Sequence, residues 1–180
     1  MKFLLVCSNN VNLAEFRVPE LQSIATLFNF TITYDEQPPD ITRPYMVIHL
    51  ETEEQAKLLA SRSISIKTVW HYWADGENYE QLQNNIKPQS DLYEPCTPLT
   101  TSWKFLVSSF GQAIALPEQL QVIHSFAWMG FKGPIKLKGA DVEIGVFEEY
   151  RHAMEKQEKG RVLEEMRWVW MGRKVSQSFR

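Results

Sequence analysis

The sequence lacks the patterns by which catalytic and metal sites are usually recognised. Its two cysteines, Cys7 and Cys96, lie far apart and match no metal or redox spacing, so we expect free thiols in a reducing compartment. Its four histidines form no ligand-spaced pair. The sequence contains no nucleophile elbow, phosphate-binding glycine loop or dinucleotide fingerprint. We therefore expect no catalytic residue, no metal site and no cofactor site on this chain.

Long apolar runs are also missing. The first ten residues, MKFLLVCSNN, hold only a short apolar run, whereas a signal peptide needs a longer one with a small-residue cleavage site. A membrane-spanning helix needs roughly 20 apolar residues. We interpret this segment as the first buried strand of a cytoplasmic or nuclear protein, with the cytoplasm favoured, and we expect no membrane partner.

The net charge of −3 conceals a difference between the two halves of the chain. Residues 1–98 hold 7 basic and 13 acidic side chains, and residues 99–180 hold 12 basic and 9 acidic ones. The halves therefore carry net charges of −6 and +3. This split indicates a polyanionic partner for the second half, although a chance imbalance on a solvated surface explains it equally well.

The first half alternates segments that are typical of strands and helices. The spacing of apolar residues predicts helices over 14–28 and 52–62, a short helix within 75–86, and strands over 2–7, 31–35, 45–51 and 63–73. Pro19 can lie only in the first turn of its helix, and Thr52 is a plausible N-cap. The order of elements indicates an α+β fold, with a small antiparallel sheet and helices on one face.

A segment with three prolines, residues 87–102, interrupts this pattern and predicts a linker. We accordingly expect domains at 1–88 and 102–180, joined by a linker at 89–101. In the second domain the pattern predicts a helix over 117–128, a charged helix or insert over 151–166, and strands over 102–110, 135–139, 140–150 and 167–175.

The segment FKGPIKLKG (131–139) contains three lysines and no acid. In a strand, Ile135 and Leu137 would lie on one face and Lys136 and Lys138 on the other, with Lys132 in the preceding turn. The pattern therefore predicts an apolar underside and a cationic upper face. GFKG (130–133) matches the loop by which KH domains clamp a nucleic-acid backbone, but that loop joins two helices, so we favour a helix C-cap and tight turn.

The last predicted strand adds further positive charge. Trp168 and Trp170 lie on one side of it, and tryptophans beside cations suit base stacking and phosphate contacts, although we favour a core position for both. The predicted phosphate-binding residues are Lys132, Lys136, Lys138, Arg167, Arg173, Lys174 and Arg180.

Several segments together resemble the N-terminal region of the eukaryotic-type tRNA guanosine-10 methyltransferase. They are EFRVPELQSIATLF (15–28), VWHYWADG (69–76), FKGPIKLKGADVEIGVFEEY (131–150) and WVWMGR (168–173). The resemblance covers essentially the whole chain and implies a ferredoxin-like domain at 1–88, followed by a THUMP-type α/β domain at 102–180. The matching positions are Phe16, Arg17, Glu20, Trp73, Gly76, Gly133, Lys138, Glu148, Glu149, Tyr150, Gly172 and Arg173.

The sequence departs from that family at turns. Ala74 stands where the family usually has glycine, Met171-Gly172 replaces an aromatic-glycine pair, and the proline near Gly139-Ala140 is missing. The chain also lacks the family's Asp/Asn-Pro-Pro-aromatic motif and its glycine-rich cofactor loop. The resemblance therefore implies the RNA-recognition part of the enzyme, while S-adenosylmethionine would bind a methyltransferase domain in cis. The other implied partners are the single-stranded acceptor end of tRNA and a small zinc-binding activator protein that docks on the catalytic domain.

Three other functions remain open at this point. The same type of module precedes thiolation, deamination and pseudouridylation domains. A protein-interaction adaptor would use the acidic first domain, with Trp70 and Trp73 exposed, and would show an apolar patch there and no RNA affinity. A self-contained enzyme would need a convergent polar pocket that the sequence does not reveal.

Overall fold

A computed structural model describes residues 1–8, 11–150 and 163–177. The chain divides into two compact units, one formed by Met1–Tyr72 with the chain end from Lys174, the other by Trp73–Arg173. These bounds differ from the predicted domains at 1–88 and 102–180. The predicted division stays a prediction, because compact units and family domains need not coincide.

The described residues of the first unit up to Tyr72 form four strands and two helices. The strands are β1 (Lys2–Cys7), β2 (Thr33–Tyr34), β3 (Tyr45–His49) and β4 (Ile66–Gly76), which continues into the second unit, and the helices are α1 (Arg17–Leu27) and α2 (Glu53–Arg62). The order of neighbours is β2-β3-β1-β4, and each pair is antiparallel. This is the ferredoxin-like arrangement, and the predicted βαββαβ order is confirmed.

The boundaries of these elements follow local chemistry. Gln55 N–H donates to Thr52 Oγ1 over 3.2 Å and Gln55 Oε1 accepts the Thr52 N–H over 3.3 Å, so the predicted N-cap of α2 is confirmed as a capping box. Pro19 lies in the first turn of α1, as predicted, and a 3₁₀ helix over Val11–Phe16 precedes it. Strand β2 is shorter than the predicted 31–35, and β4 extends past the predicted end at residue 73.

The core of the first unit lies between its sheet and its two helices. Phe3 and Leu5, which share one face of β1, are buried in a cluster with Leu21 of α1 and Leu59 of α2. Burial also raises the pKa of the Cys7 thiol in this cluster to about 11, so that thiol stays protonated near neutral pH.

The second unit contains the remaining elements. They are α3 (Tyr79–Ile86), α4 (Ser90–Tyr93), β5 (Trp103–Phe110), α5 (Leu116–Ser125), β6 (Val142–Tyr150) and β7 (Met166–Gln177), whose residues from Lys174 on belong to the first unit, with 3₁₀ helices over Glu94–Cys96, Ala127–Met129 and Leu163–Glu165. Strand β6 lies between β5 and β7, parallel to β5 and antiparallel to β7. Helix α5 provides the crossover that a parallel pair requires. The predicted choice of strand over helix for residues 140–150 is confirmed.

Residues 87–102, predicted as a linker, contain α4 and a 3₁₀ helix. Tyr93 and Cys96 are buried there in the core of the second unit, beside Val146 and Met171. The proline pattern therefore marks the ends of short helical turns that pack onto the sheet. Of the predicted helix or insert over 151–166, residues 151–162 lie outside the described residues.

Candidate nucleic-acid interface

Residues 131–139, which we call the lysine loop, are held by their backbone. Lys132 N–H donates to Thr97 O over 3.1 Å, Trp103 N–H donates to Pro134 O over 3.0 Å, and Lys136 N–H donates to Trp103 O over 3.1 Å. The indole N–H of Trp103 donates to Gly133 O over 2.9 Å. The loop is thus attached by its backbone to Thr97 and Trp103, and its position does not depend on the lysine side chains.

The predicted strand over 135–139 is wrong. In this segment the one strand-like pairing is an isolated bridge between Ile135 and Trp103. The side chains of Ile135 and Leu137 are 64% and 81% exposed. The physical reason is that the loop's backbone groups bond to residues 97 and 103 and that Gly139 turns the chain with a φ of +64°. The apolar underside expected from the alternation of residues therefore does not form.

The three lysines of the loop all point into solvent. Lys132, Lys136 and Lys138 are exposed, and within the part of the chain that the structure describes no carboxylate lies within ion-pair distance of any of them. Between Glu118 and Asp141 the sequence has no acidic residue. The loop therefore presents three available cations on a fixed backbone, as a phosphate-binding surface requires.

Asp141 ties the base of the loop to β5. The backbone N–H of Ser102 donates to Asp141 Oδ2 over 2.8 Å, the Ser102 hydroxyl donates to the same oxygen, and Asp141 N–H donates to Ser102 Oγ over 3.0 Å. The hydroxyl and backbone hydrogen bonds from Ser102 lower the pKa of Asp141, and the charge of Lys136 lowers it further.

This arrangement predicts a pH-dependent effect of Asp141→Asn. Because the pKa of Asp141 is depressed in the fold, its contribution to stability is present above the unfolded-state pKa of about 4 and is lost as pH falls through the folded-state pKa. We expect the variant to melt a few degrees below the parent at pH 7, and the gap to close in acid. Thermal melts across pH, with the exposed Asp91→Asn as control, measure this. A gap that persists unchanged in acid would contradict it.

The basic residues predicted on the last strand are dispersed. Arg167 is exposed, with Nη1 3.8 Å from Oε1 of the buried Glu149. Arg173 is partly exposed and pairs in register with Ile144 of β6. Six residues along β7 separate the two arginines by roughly 20 Å. Lys174, also partly exposed, falls in the first unit, and Arg180 lies outside the described residues.

Strand β6 intervenes between β7 and the edge that carries the lysine loop. Ile135 of the loop bridges to Trp103 of β5, which pairs with Val142 of β6, whereas Arg173 pairs with Ile144 on the far side of β6. The backbones of β5 and β7 are therefore roughly 10 Å apart. The two predicted sets of cations do not form one row along a single strand.

An aromatic cleft lies beside the lysine loop. It has a volume of 170 Å³, and its lining residues are Trp103, Phe105, Ile123, His124, Phe126, Ala127 and Phe131. The ring centroids of Trp103 and Phe131 are 5.3 Å apart, and those of Phe105 and Phe131 are 5.8 Å apart. The sequence pattern did not single out this cleft. Its one local signal is that Trp103 and Phe105 alternate on β5 and therefore share a face.

The tryptophans named in the sequence take core positions in most cases. Trp170 is buried, as predicted, and Trp168 is half-buried. Trp70 and Trp73 are fully buried, so they do not form the exposed aromatic surface that the adaptor hypothesis assigned to them. The glycine turn at GFKG is confirmed as a C-cap, because Gly130 ends the 3₁₀ helix with a φ of +73°.

Two charged residues of the first unit that match the family pattern support the fold. Arg17 is buried, and its guanidinium donates to Ser8 O over 2.7 Å, to Ile41 O over 2.6 Å and to Arg43 O over 2.8 Å. Glu20 accepts hydrogen bonds from Ile64 N–H over 2.6 Å and from Ser63 Oγ over 2.7 Å. Burial alone would raise the pKa of Glu20, but hydrogen bonds from Ser65, Ile64 and Ser63 outweigh it and lower the pKa.

Glu148 has a similar structural position in the second unit. It is fully buried on the core side of β6 and accepts hydrogen bonds from the hydroxyl of Tyr150, over 2.7 Å, and from the hydroxyl of Tyr79. The two tyrosine hydroxyls supply the hydrogen bonds that a buried carboxylate needs, and the Tyr79 hydrogen bond joins α3 to β6.

A second cleft, of 480 Å³, lies in the first unit. It is lined by Leu13, Phe16, Pro19, Glu20, Ser23, Ile64 and Ser65, and Phe16 and Ile64 are among the exposed apolar side chains. This is an apolar surface of the kind that the adaptor hypothesis places on the first domain.

The described residues contain neither a metal cluster nor a membrane span. In 1–8, 11–150 and 163–177 no group of three or more His, Cys, Asp and Glu side chains could hold a metal ion. Of the helices in these ranges, none is long and apolar enough to cross a membrane.

Comparison with known proteins identifies the family. The chain is 30% identical over 153 residues to tRNA (guanine(10)-N(2))-methyltransferase of Saccharomyces cerevisiae, covering 83% of this chain and 34% of that protein. It is 26% identical over 153 residues to TRMT11 of Xenopus laevis, covering 83% of this chain and 31% of that protein. The chain thus spans about a third of the length of these relatives.

The fold also resembles a solved structure. TrmN from Thermus thermophilus superposes with a TM-score of 0.52 at 13% sequence identity, covering 98% of this chain and 46% of that one. The mixed α+β fold predicted from the sequence is thereby confirmed. Residues 1–180 match the Tmrp11 THUMP N-terminal domain. The resemblance predicted from the sequence is therefore confirmed, and the chain belongs to the Tmrp11 THUMP N-terminal domain family.

Proposed function

We propose that these residues form the tRNA-binding part of an S-adenosylmethionine-dependent tRNA guanosine N2-methyltransferase and hold the single-stranded acceptor end. The observation that carries this proposal is the lysine loop, which holds three exposed lysines on an anchored backbone, none of them within ion-pair distance of a carboxylate of the described residues. The names of the curated relatives, tRNA (guanine(10)-N(2))-methyltransferases, support tRNA as the ligand and favour methylation over thiolation, deamination or pseudouridylation.

The mechanism on this chain is positional. Lys132, Lys136 and Lys138 would neutralise phosphates and so fix the register of the RNA without reading its sequence. A tRNA held at its end would present the target guanosine to a catalytic pocket elsewhere in the protein. Arg167, Arg173, Lys174 and Arg180 would supply further phosphate contacts.

The methyl transfer itself would take place outside these 180 residues. The sequence has no glycine-rich cofactor loop and no Asp/Asn-Pro-Pro-aromatic motif, so this chain offers no fit for S-adenosylmethionine. The cofactor would bind a catalytic domain in cis, and the small zinc-binding activator expected from the resemblance would dock on that domain.

The test is fluorescence anisotropy of this chain with intact tRNA and with tRNA trimmed of its single-stranded 3′ end. We expect the intact tRNA to bind and the trimmed tRNA to lose most of the affinity. Counting only the three phosphates at the lysine loop, with a log–log slope of roughly −0.7 for each, raising salt from about 50 to about 200 mM should weaken binding at least about twentyfold. Equal affinity for both tRNAs would refute the acceptor-end mode, and no binding in low salt would refute the function.

A protein-docking role is the second candidate, and the 480 Å³ apolar cleft of the first unit favours it. The first half of the chain carries a net charge of −6, so the partner would be a basic protein segment with an apolar anchor. This role alone predicts no affinity for RNA at low salt, so the same titration separates the two candidates.

A further inference from the structure

The aromatic cleft beside the lysine loop has a composition that the phosphate contacts do not explain. Trp103, Phe105 and Phe131, which are partly buried, bring three rings to one small cavity, and Phe126, which is buried in the core, stacks on Phe105 with centroids 6.2 Å apart. Aromatic rings at the edge of a cationic surface are what single-stranded nucleic acid uses, because every base has a π-face that can stack.

We propose that this cleft is the binding site of one unpaired nucleobase of the RNA strand whose phosphates contact the lysine loop. The inference rests on the proposed function and adds a base site to it. The size favours an occupant no larger than a single base, since 170 Å³ is well below the roughly 300–1,000 Å³ of sites for drug-sized ligands.

The positions of the cations support a strand of RNA as the occupant. Phe131 lines the cleft, and Lys132 follows it directly in the chain. Trp103, whose ring contacts that of Phe131, also lines the cleft. The backbone carbonyl of Trp103 accepts a hydrogen bond from the N–H of Lys136. The backbones of two lysines thus lie next to residues that line the cleft, within reach of the phosphates that flank a base bound there.

The lining also contains one polar group for the edge of the base. The indole N–H of Trp103 is already bonded to Gly133 O, which leaves the exposed His124 as the lining side chain that can donate to or accept from a base. Recognition of splayed-out bases combines this kind of edge contact with aromatic stacking.

The rings are held by neighbours that do not depend on RNA. Lys104 on β5 pairs with Glu143 over 3.1 Å, and its ammonium donates to Leu137 O of the loop over 3.4 Å. The loop and the wall of the cleft thus belong to one hydrogen-bonded assembly, so that the cleft exists before the ligand arrives. Preorganisation of this kind lowers the entropic cost of binding.

The test uses the 180-residue chain and a single-stranded RNA with 2-aminopurine at each of its three 3′-terminal positions in turn. Stacking quenches 2-aminopurine, so we expect quenching at one position with the parent chain. Phe131→Leu should abolish that quenching and weaken binding about tenfold, while the salt slope stays unchanged. Phe131→Tyr should keep both signals. Phe28→Leu, which removes a half-exposed ring of the first unit, is the matched control.

Each other result decides against the base site. Unchanged quenching and affinity in Phe131→Leu would overturn the base site. If replacing Lys132, Lys136 and Lys138 by alanine still weakens binding, the proposed function stays intact. A reduced salt slope in Phe131→Leu would mean that the loop has moved, and would also overturn it. If the parent chain binds no RNA, the proposed function fails and the base site fails with it.

Discussion

Replacing Lys132, Lys136 and Lys138 together by alanine should weaken tRNA binding about a hundredfold. Each exposed lysine–phosphate contact contributes about 1 kcal/mol, and every 1.4 kcal/mol is a factor of about ten in affinity. The log–log salt slope should become less negative by about 2, because three phosphates lose their counter-charges. The measurement is anisotropy titration of both chains with the same tRNA at several salt concentrations.

The matched control for the lysine variant removes the same charge from the first unit. Lys57, Arg62 and Lys67 are exposed, so their triple alanine variant also lowers the net charge by three. We expect it to keep most of the affinity. Comparable losses in both variants would show that only the overall charge matters, and the lysine loop would no longer be the binding surface. Thermal melts should show little change for either, because exposed substitutions rarely shift stability by more than about 0.5 kcal/mol.

Gly133→Ala should have the largest effect on stability. A Cβ at this position would lie 1.9 Å from the carbonyl oxygen of Thr101 and 2.7 Å from its carbonyl carbon. Both are backbone atoms, so the loop must leave the segment at Thr97–Trp103 and lose the bonds that Lys132 N–H and the Trp103 indole make there. We expect a loss of about 3 kcal/mol in the free energy of unfolding, measured by urea denaturation.

Gly139→Ala in the same loop provides the comparison. No atom lies within 4 Å of a Cβ there, and only the φ of +64° opposes the substitution. A left-handed conformation costs a non-glycine residue roughly 1–2 kcal/mol, so this variant should be the milder one. If Gly133→Ala were no more destabilising than Gly139→Ala, the close packing of the loop against Thr101 would be disproved.

The elements that depend on local spacing were predictable. Strand β1, helix α2 with its cap at Thr52, and the choice of strand for β6 all follow from patterns within a dozen residues. The family resemblance likewise depends on short ordered segments, and Arg17 and Glu20 belong to them. What these two residues do was not visible, since their partners lie near residues 8, 41, 43 and 63–65.

The candidate site was predictable only in its charge. Lys132, Lys136 and Lys138 lie within seven consecutive residues, so their positive charge was evident, whereas the strand expected around them was wrong. The strand pattern failed because hydrogen bonds to Thr97 and Trp103, far away in the chain, decide the conformation of the loop. The base site needs Trp103, Phe126 and Phe131 to converge, and only the packing of β5, α5 and the loop brings them together.

The sequence by itself determined the family, the order of helices and strands, and the cluster of lysines, because each is encoded in residues close to one another along the chain. The tertiary structure alone decided which side chains are exposed. It buried Trp70 and Trp73, left Ile135 and Leu137 in solvent, and opened an aromatic cleft beside three cations. Whether a residue is buried depends on which distant segments pack against it. An alternating or apolar pattern in the local sequence does not specify those segments.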